Sequence, residues 1–144
     1  MKDDALFCVG QKAFINKNGK ILVLNDPGYG LDFPGGKIQE GEAKDGIAKS
    51  LLLALEREVS EETGLKIKVG DPFIVWYHKF PKGSRNYPKV VYLVGFKCEY
   101  VSGDVQLSNE HDNYRWVDNN DFHEVDDGSD YFDALIKYFE ITDI

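Results

Sequence analysis

Apolar positions fall into two rhythms along this chain. Most of it alternates apolar and polar residues in short runs, the period of half-buried strands, while one stretch in the middle repeats every four residues. The alternating runs predict strands over Leu6–Asn16 and Lys20–Leu24 joined by an Asn18-Gly19 hairpin turn, and a short strand over Leu31–Phe33 after the Asp26-Pro27-Gly28 loop. Further strands are expected over Leu65–Val69, Phe73–Phe80, Lys89–Tyr100, Val105–Leu107 and Tyr114–Val117, with Gly70-Asp71-Pro72 as a break and residues 81–88 as a loop carrying Lys82 and Arg85. The four-residue rhythm runs through Ile47, Leu51, Leu55 and Val59, widened by Ala48 and Leu52. It predicts one helix from Gly46 to Thr63, with Asp45 as N-cap and Gly64 in the left-handed position that ends a helix; the alternative is an extended loop over residues 43–50 before a helix of ordinary length. Leu52 or Leu53 should be buried on the longer helix. Phe132, Leu135, Ile136 and Phe139 mark a closing helix over Asp130–Phe139. Mixed strands with one central and one terminal helix give a layered α/β sandwich.

The end of the central helix carries the first sign of chemistry. Val59 belongs to the apolar stripe, whereas Glu58, Glu61 and Glu62 stand three and four residues apart on another face, with Arg57 as the one neighbouring cation. Like charges at those spacings repel, and carboxylates near a helix C-terminus oppose the helix dipole, by up to roughly 1 kcal/mol each. Such a cluster is explained by a hard divalent cation, which takes oxygen ligands; the competing explanation is a solvated acidic helix end. Upstream, Leu31-Asp32-Phe33-Pro34-Gly35-Gly36-Lys37 reads as a strand entering a glycine turn, where two residues without Cβ let the backbone approach a ligand or ion.

These residues resemble the signature of the Nudix hydrolase family: Gly, five residues, Glu, seven residues, then Arg-Glu-apolar-x-Glu-Glu-x-Gly-apolar. Gly36 and Glu42 match the first spacing and Arg57 to Leu65 the closing nine positions, but fourteen residues separate Glu42 from Arg57 instead of seven. The box covers about a fifth of the chain. Farther on, Glu110-His111-Asp112-Asn113-Tyr114-Arg115-Trp116 resembles the asymmetric dinucleoside polyphosphate hydrolases of that family, though these tend to carry Pro-Lys-Gly-His where this chain has Pro34-Gly35-Gly36-Lys37.

The resemblance implies an α/β/α sandwich with a mixed sheet, a box helix and a C-terminal helix, forming a single domain over residues 1–144. It also implies hydrolysis of a nucleoside diphosphate derivative by water attack on phosphorus. Glu58 and Glu62 match the principal metal ligands, Glu61 a further one and the Gly35 carbonyl a backbone one, with magnesium favoured and manganese as substitute. Glu58 is the first candidate for general base, and Arg57 and Glu42 stand behind the ligands, Arg57 orienting a carboxylate. Glu110 is a further candidate ligand or, as readily, a loop acid. Gly36 and Lys37 are expected at the substrate, and Phe33 or Trp76 either stacks on a base or packs in the core. A Nudix-fold binding module without turnover is the alternative.

Composition narrows this further. With 144 residues, 42% of them apolar, the chain can bury a sizeable core. A formal charge of −8 excludes a general binder of nucleic-acid polymers, which needs a basic face, while leaving small nucleotides open because a bound cation reverses the local sign. The N-terminal Met-Lys-Asp-Asp-Ala lacks the pattern of a signal peptide and no apolar run reaches membrane-spanning length, so a cytoplasmic monomer or homodimer is expected. Cys8 and Cys98 are expected as reduced thiols, and His78, His111 and His123 lack ligand spacing.

Overall fold

The computed structural model describes residues 2–142. Its centre is a seven-stranded sheet built from β1 (Cys8–Lys17), β2 (Lys20–Asp26), β3 (Gly30–Asp32), β4 (Gly35–Lys37), β5 (Lys66–Lys79), β6 (Val90–Ser102) and β7 (Asn113–Val117). The main order is β3-β2-β1-β6-β5, with β4 also paired to β1 and β7 to β2. β1 and β6 run parallel, from Cys8 opposite Val91 to Asn16 opposite Glu99, and the other pairs are antiparallel. Helix α1 (Lys49–Thr63) lies between β4 and β5, and α2 (Asp130–Thr142) closes the described chain after a short 3-10 turn at Phe122–Val125.

Period-two alternation sorts the core into two layers. Ala13 and Ile15 of β1 and Leu22 and Leu24 of β2 pack with Leu55 and Val59 of α1. Phe14 of β1, and Ile21 and Val23 of β2, point the other way and pack with Phe132, Leu135 and Phe139 of α2. The sheet is therefore sandwiched between the helices. Leu55 and Val59 are essentially fully buried, which stabilises the box helix by about 2 kcal/mol for each side chain. The same alternation puts Gln11 on the α1 side, where its Nε2 donates to the Leu51 carbonyl at 2.8 Å, and turns Lys12 to the opposite face.

The sequence expectations are corrected in several places. Helix α1 begins at Lys49 and not at Gly46, and its N-cap residue is Ala48, in the left-handed region at φ 57°. Asp45 still caps, from outside: its Oδ2 accepts from Ser50 N at 3.1 Å while Ser50 Oγ accepts from Lys44 N at 3.1 Å. This reciprocal clasp turns the backbone before residue 49 and leaves Ile47, expected in the apolar stripe, 91% exposed. Leu52 packs against the α1-side core and Leu53 faces outward. The Gly70-Asp71-Pro72 break is absorbed as register shifts within one continuous β5, tolerated because β5 is an edge strand where proline costs no ladder bond. Residues 105–107 form no strand; Gln106 N and Ser108 N donate instead to the Thr63 and Glu62 carbonyls at the end of α1. Cys98 is buried, Cys8 partly so, and both are unpaired.

Candidate active site

The C-terminal end of α1, the Gly35–Gly36 segment and the loop after residue 107 converge on one open cleft of about 1100 Å³. It is lined by Gly35, Gly36 and Lys37 on one side, Glu62 and Glu110 beside them, and residues 80–86 opposite.

Gly35 and Gly36 are required here for separate reasons. Gly35 has φ 141°, and a Cβ there would collide with the Gln11 carbonyl of the neighbouring strand. At Gly36 a Cβ would instead meet the Glu58 carboxylate. The glycines thus let β4 lie flat against both the sheet and the box helix. Gly35 N donates to Glu62 Oε2 at 3.3 Å, so the turn and the helix are joined through an acid expected to hold metal.

Burial sets the electrostatics. Glu62 is 7% exposed, and desolvation pushes its carboxyl up to about 7, against the opposing pull of Lys12. Desolvation raises Glu58 too, partly offset by Arg57. Arg57 binds Glu42 at 2.8 Å and reaches Glu58 Oε1 only at 3.8 Å. Glu42 Oε1 accepts from Gln39 N at 2.6 Å, so the Arg57–Glu42 pair pins the 39–42 loop to the helix. Glu61 is exposed, and the Glu110 side chain forms no ion pair among the described residues.

Two expected substrate contacts move into the core. Phe33 is fully buried and stacked on Phe14 at a centroid distance of 4.1 Å. Trp76 sits edge-on to Phe14, Phe33 and Tyr131, with its Nε1 buried and unpaired. Both rings are held by the aromatic layer under α2 and neither lines the cleft. Lys37 does line it, with its Nζ 5.7 Å from the Phe80 ring centroid.

A buried ion chain at the back of the cleft escaped sequence reading. Lys12 Nζ lies 2.9 Å from Asp32 Oδ1 and donates to the Phe33 carbonyl at 3.2 Å, while His111 Nε2 lies 2.9 Å from Asp32 Oδ2. Burial alone would raise the Asp32 carboxyl, but Lys12 and His111 hold it below the usual range. For Lys12, burial is likewise outweighed, by Asp32 first, and its ammonium is held above the usual value. The one signal in the sequence was a lysine inside the apolar run of β1. Asp26, Asp32 and His111 also place candidate ligand atoms within 4.8 Å of one another, a tighter trio than the box carboxylates form. Asp32 is already neutralised by Lys12, so that trio offers a cation little net charge.

The donor set of the box does fit a hard divalent ion. Glu58 and Glu62 lie one helical turn apart, both are raised by desolvation, and a cation would stabilise their ionised forms. A mixed sheet between two helices, with Glu62 lining a glycine-built cleft and the Glu58 carboxylate against Gly36 while neither Glu58 nor Glu61 lines the cleft, defines a hydrolase-like site of the Nudix type. The NUDIX domain profile matches residues 13–136, and the chain belongs to the NUDIX family. It is similar to the MutT protein of Methanosarcina mazei Go1, with 27% identity, a TM-score of 0.75 and 99% of each chain covered. The fold is also that of the Caenorhabditis elegans Ap4A hydrolase, at 22% identity and a TM-score of 0.63 over 93% of this chain and 96% of that one. Among curated proteins, the octanoyltransferase of Myxococcus xanthus is 34% identical over 84 residues, 58% of this chain. The match spans only 21% of that protein's length.

Proposed function

We propose that this protein is a magnesium-dependent pyrophosphohydrolase. Its substrate is a nucleoside diphosphate derivative: a nucleoside triphosphate, a dinucleoside polyphosphate or a sugar nucleotide. Water attacks phosphorus, and the whole chain acts as one domain. The observation that carries this reading is the meeting of Glu62 with the Gly35 amide at the floor of the cleft, with Glu58 directly behind Gly36. Glu58 and Glu62 would hold the ion, with Glu61, Glu110 and the Gly35 carbonyl as further ligands, and manganese would substitute for magnesium. Bound there, a divalent ion supplies charge neutralisation and a lowered pKa for water.

The chain's own residues account for the rest. Burial raises Glu58, the direction that makes a carboxylate a better proton acceptor. Arg57 holds Glu42 and limits how far the loop before the helix can shift. Lys37, Lys82 and Arg85 line the cleft of a protein of net charge −8, and there they draw phosphate oxygens away from the carboxylates. No helix of the described residues is long and apolar enough to cross a membrane. The deciding experiment is a panel assay of the three substrate groups with magnesium, with and without EDTA. Metal-dependent release of a nucleoside monophosphate or of pyrophosphate supports the reading. Nucleotide binding without turnover on every member would replace it with a binding module.

A further inference from the structure

The cleft has two walls that no secondary structure joins directly: the strand leading into Gly35–Gly36, and the irregular 108–112 segment that carries Glu110. Asp32 is where they touch. Its Oδ1 takes Lys12 Nζ at 2.9 Å and its own neighbour Phe33 N at 2.8 Å, and its Oδ2 takes His111 Nε2 at 2.9 Å. His111 directly follows Glu110; within the segment Glu110 N donates to Ser108 Oγ at 3.4 Å and His111 N to the Ser108 carbonyl at 3.5 Å, and among the described residues its other bonds to the rest of the fold lie near its two ends. Ser108 N donates to the Glu62 carbonyl at 3.1 Å, Asp112 N to the Asn25 carbonyl at 3.1 Å, and Asn25 Nδ2 to Asp112 Oδ1 at 2.7 Å.

Stability is a poor explanation for an imidazole at this place. His111 is 6% exposed, and its Nδ1 is buried with no hydrogen-bond partner; an unpaired buried polar group costs about 1–3 kcal/mol. A buried ion chain is itself weak evidence for stability, since well-packed apolar residues of similar volume do as well or better. What the chain adds to the backbone anchors at Ser108 and Asp112 is a side-chain tie between the two walls at the residue next to Glu110. Glu110 lines the cleft on one side of that tie, and Gly35 lies three residues beyond Asp32 on the other.

We propose that Asp32 and His111 are positioning residues that latch the Glu110 arm to the glycine turn, so that the Glu110 carboxylate reaches the metal-binding acids only while the latch is closed. This rests on the hydrolase reading above. Lys12 neutralises Asp32 so that the latch can form in a desolvated place, and the Ser108 and Asp112 backbone bonds limit the arm's motion to the residues between them.

The test measures Mn²⁺ affinity by electron paramagnetic resonance of the free ion, with amide hydrogen exchange on the same proteins. His111→Ala should weaken Mn²⁺ binding by roughly ten-fold, the usual scale for a group behind a ligand, and Glu110→Gln, which removes the ligand itself, by at least as much. The double variant should bind no more weakly than the worse single one, because both changes remove the same arm. His111→Gln, which keeps an N–H donor for Asp32, should recover most of the affinity. Additive losses would overturn the latch, as would unchanged affinity in His111→Ala or in Glu110→Gln. If the unaltered protein takes up no Mn²⁺, the hydrolase reading fails, and exchange decides the latch alone. His111→Ala must then speed exchange at the amides of residues 110 and 111 while those of Ser108, Asp112 and α2 stay protected, and an unchanged pattern refutes it.

Discussion

Gly36 and Glu58 share one volume: the space a Cβ on residue 36 would occupy is held by the Glu58 carboxylate. A box acid is therefore aimed by the absence of a side chain on another strand. Gly36→Ala should leave the fold almost intact, since the group displaced is the mobile end of a glutamate, and should lower turnover by about 100-fold, within the range one misplaced group costs. Gly35→Ala should behave differently. Its Cβ would strike the Gln11 backbone at a φ of 141°, and strain that cannot relax costs several kcal/mol. Melting curves and initial rates for the two variants separate the effects; equal losses of stability would contradict this picture.

Glu62 ties stability to pH. Its carboxyl sits at about 7 in the folded protein, against an ordinary 4.5. Between those values the folded state binds the proton more tightly than the unfolded chain. Metal-free stability therefore falls as pH climbs through that window and is level above it, a loss of roughly 3 kcal/mol at most. Glu62→Gln removes this penalty. In EDTA its melting temperature should exceed that of the unaltered protein at pH 8 and match it at pH 4. An equal difference at both pH values would show that the ionised form bears no penalty.

The ion should relieve the same burden. Magnesium or manganese at pH 8 should raise the melting temperature, and at a hundred times its dissociation constant the gain is about 2.7 kcal/mol. EDTA should abolish it. Glu58→Gln should lose most of both the shift and the turnover, whereas a shift that survives in Glu58→Gln would place the ion elsewhere.

The parts legible in the sequence were those encoded locally. The Glu58–Glu62 spacing, the stripe through Leu55 and Val59, and the Gly35–Gly36 pair each report on their own backbone, and the two layers of the core follow from strict alternation in β1 and β2. The Lys12–Asp32–His111 chain was not legible, because Asp32 and His111 are 79 residues apart and their pairing depends on the sheet bringing β3 beside the 108–112 segment. Phe33 and Trp76 were ambiguous for a related reason. An aromatic side chain suits a base and a core equally, and only the position of α2 over the sheet assigns them to the core.

The start of helix α1 turns on one residue. Ala48 is held at φ 57° in the cap position, a left-handed conformation that costs a residue with a Cβ about 1–2 kcal/mol. Glycine pays no such cost, but loses more freedom on folding, about 0.4–1 kcal/mol. Ala48 is exposed, so no packing is at stake. Ala48→Gly should therefore stabilise the protein by about 0.5 kcal/mol, the balance of those two effects. Asp45→Ala should do the opposite, by about 1 kcal/mol, because Ser50 N in the first turn loses its acceptor. Urea unfolding of both variants checks the pair. Were the helix to extend back to Gly46, as its apolar periodicity alone suggests, Ala48 would be an interior residue and Ala48→Gly would destabilise by about 1 kcal/mol instead, so the sign of that one change distinguishes the two helix starts.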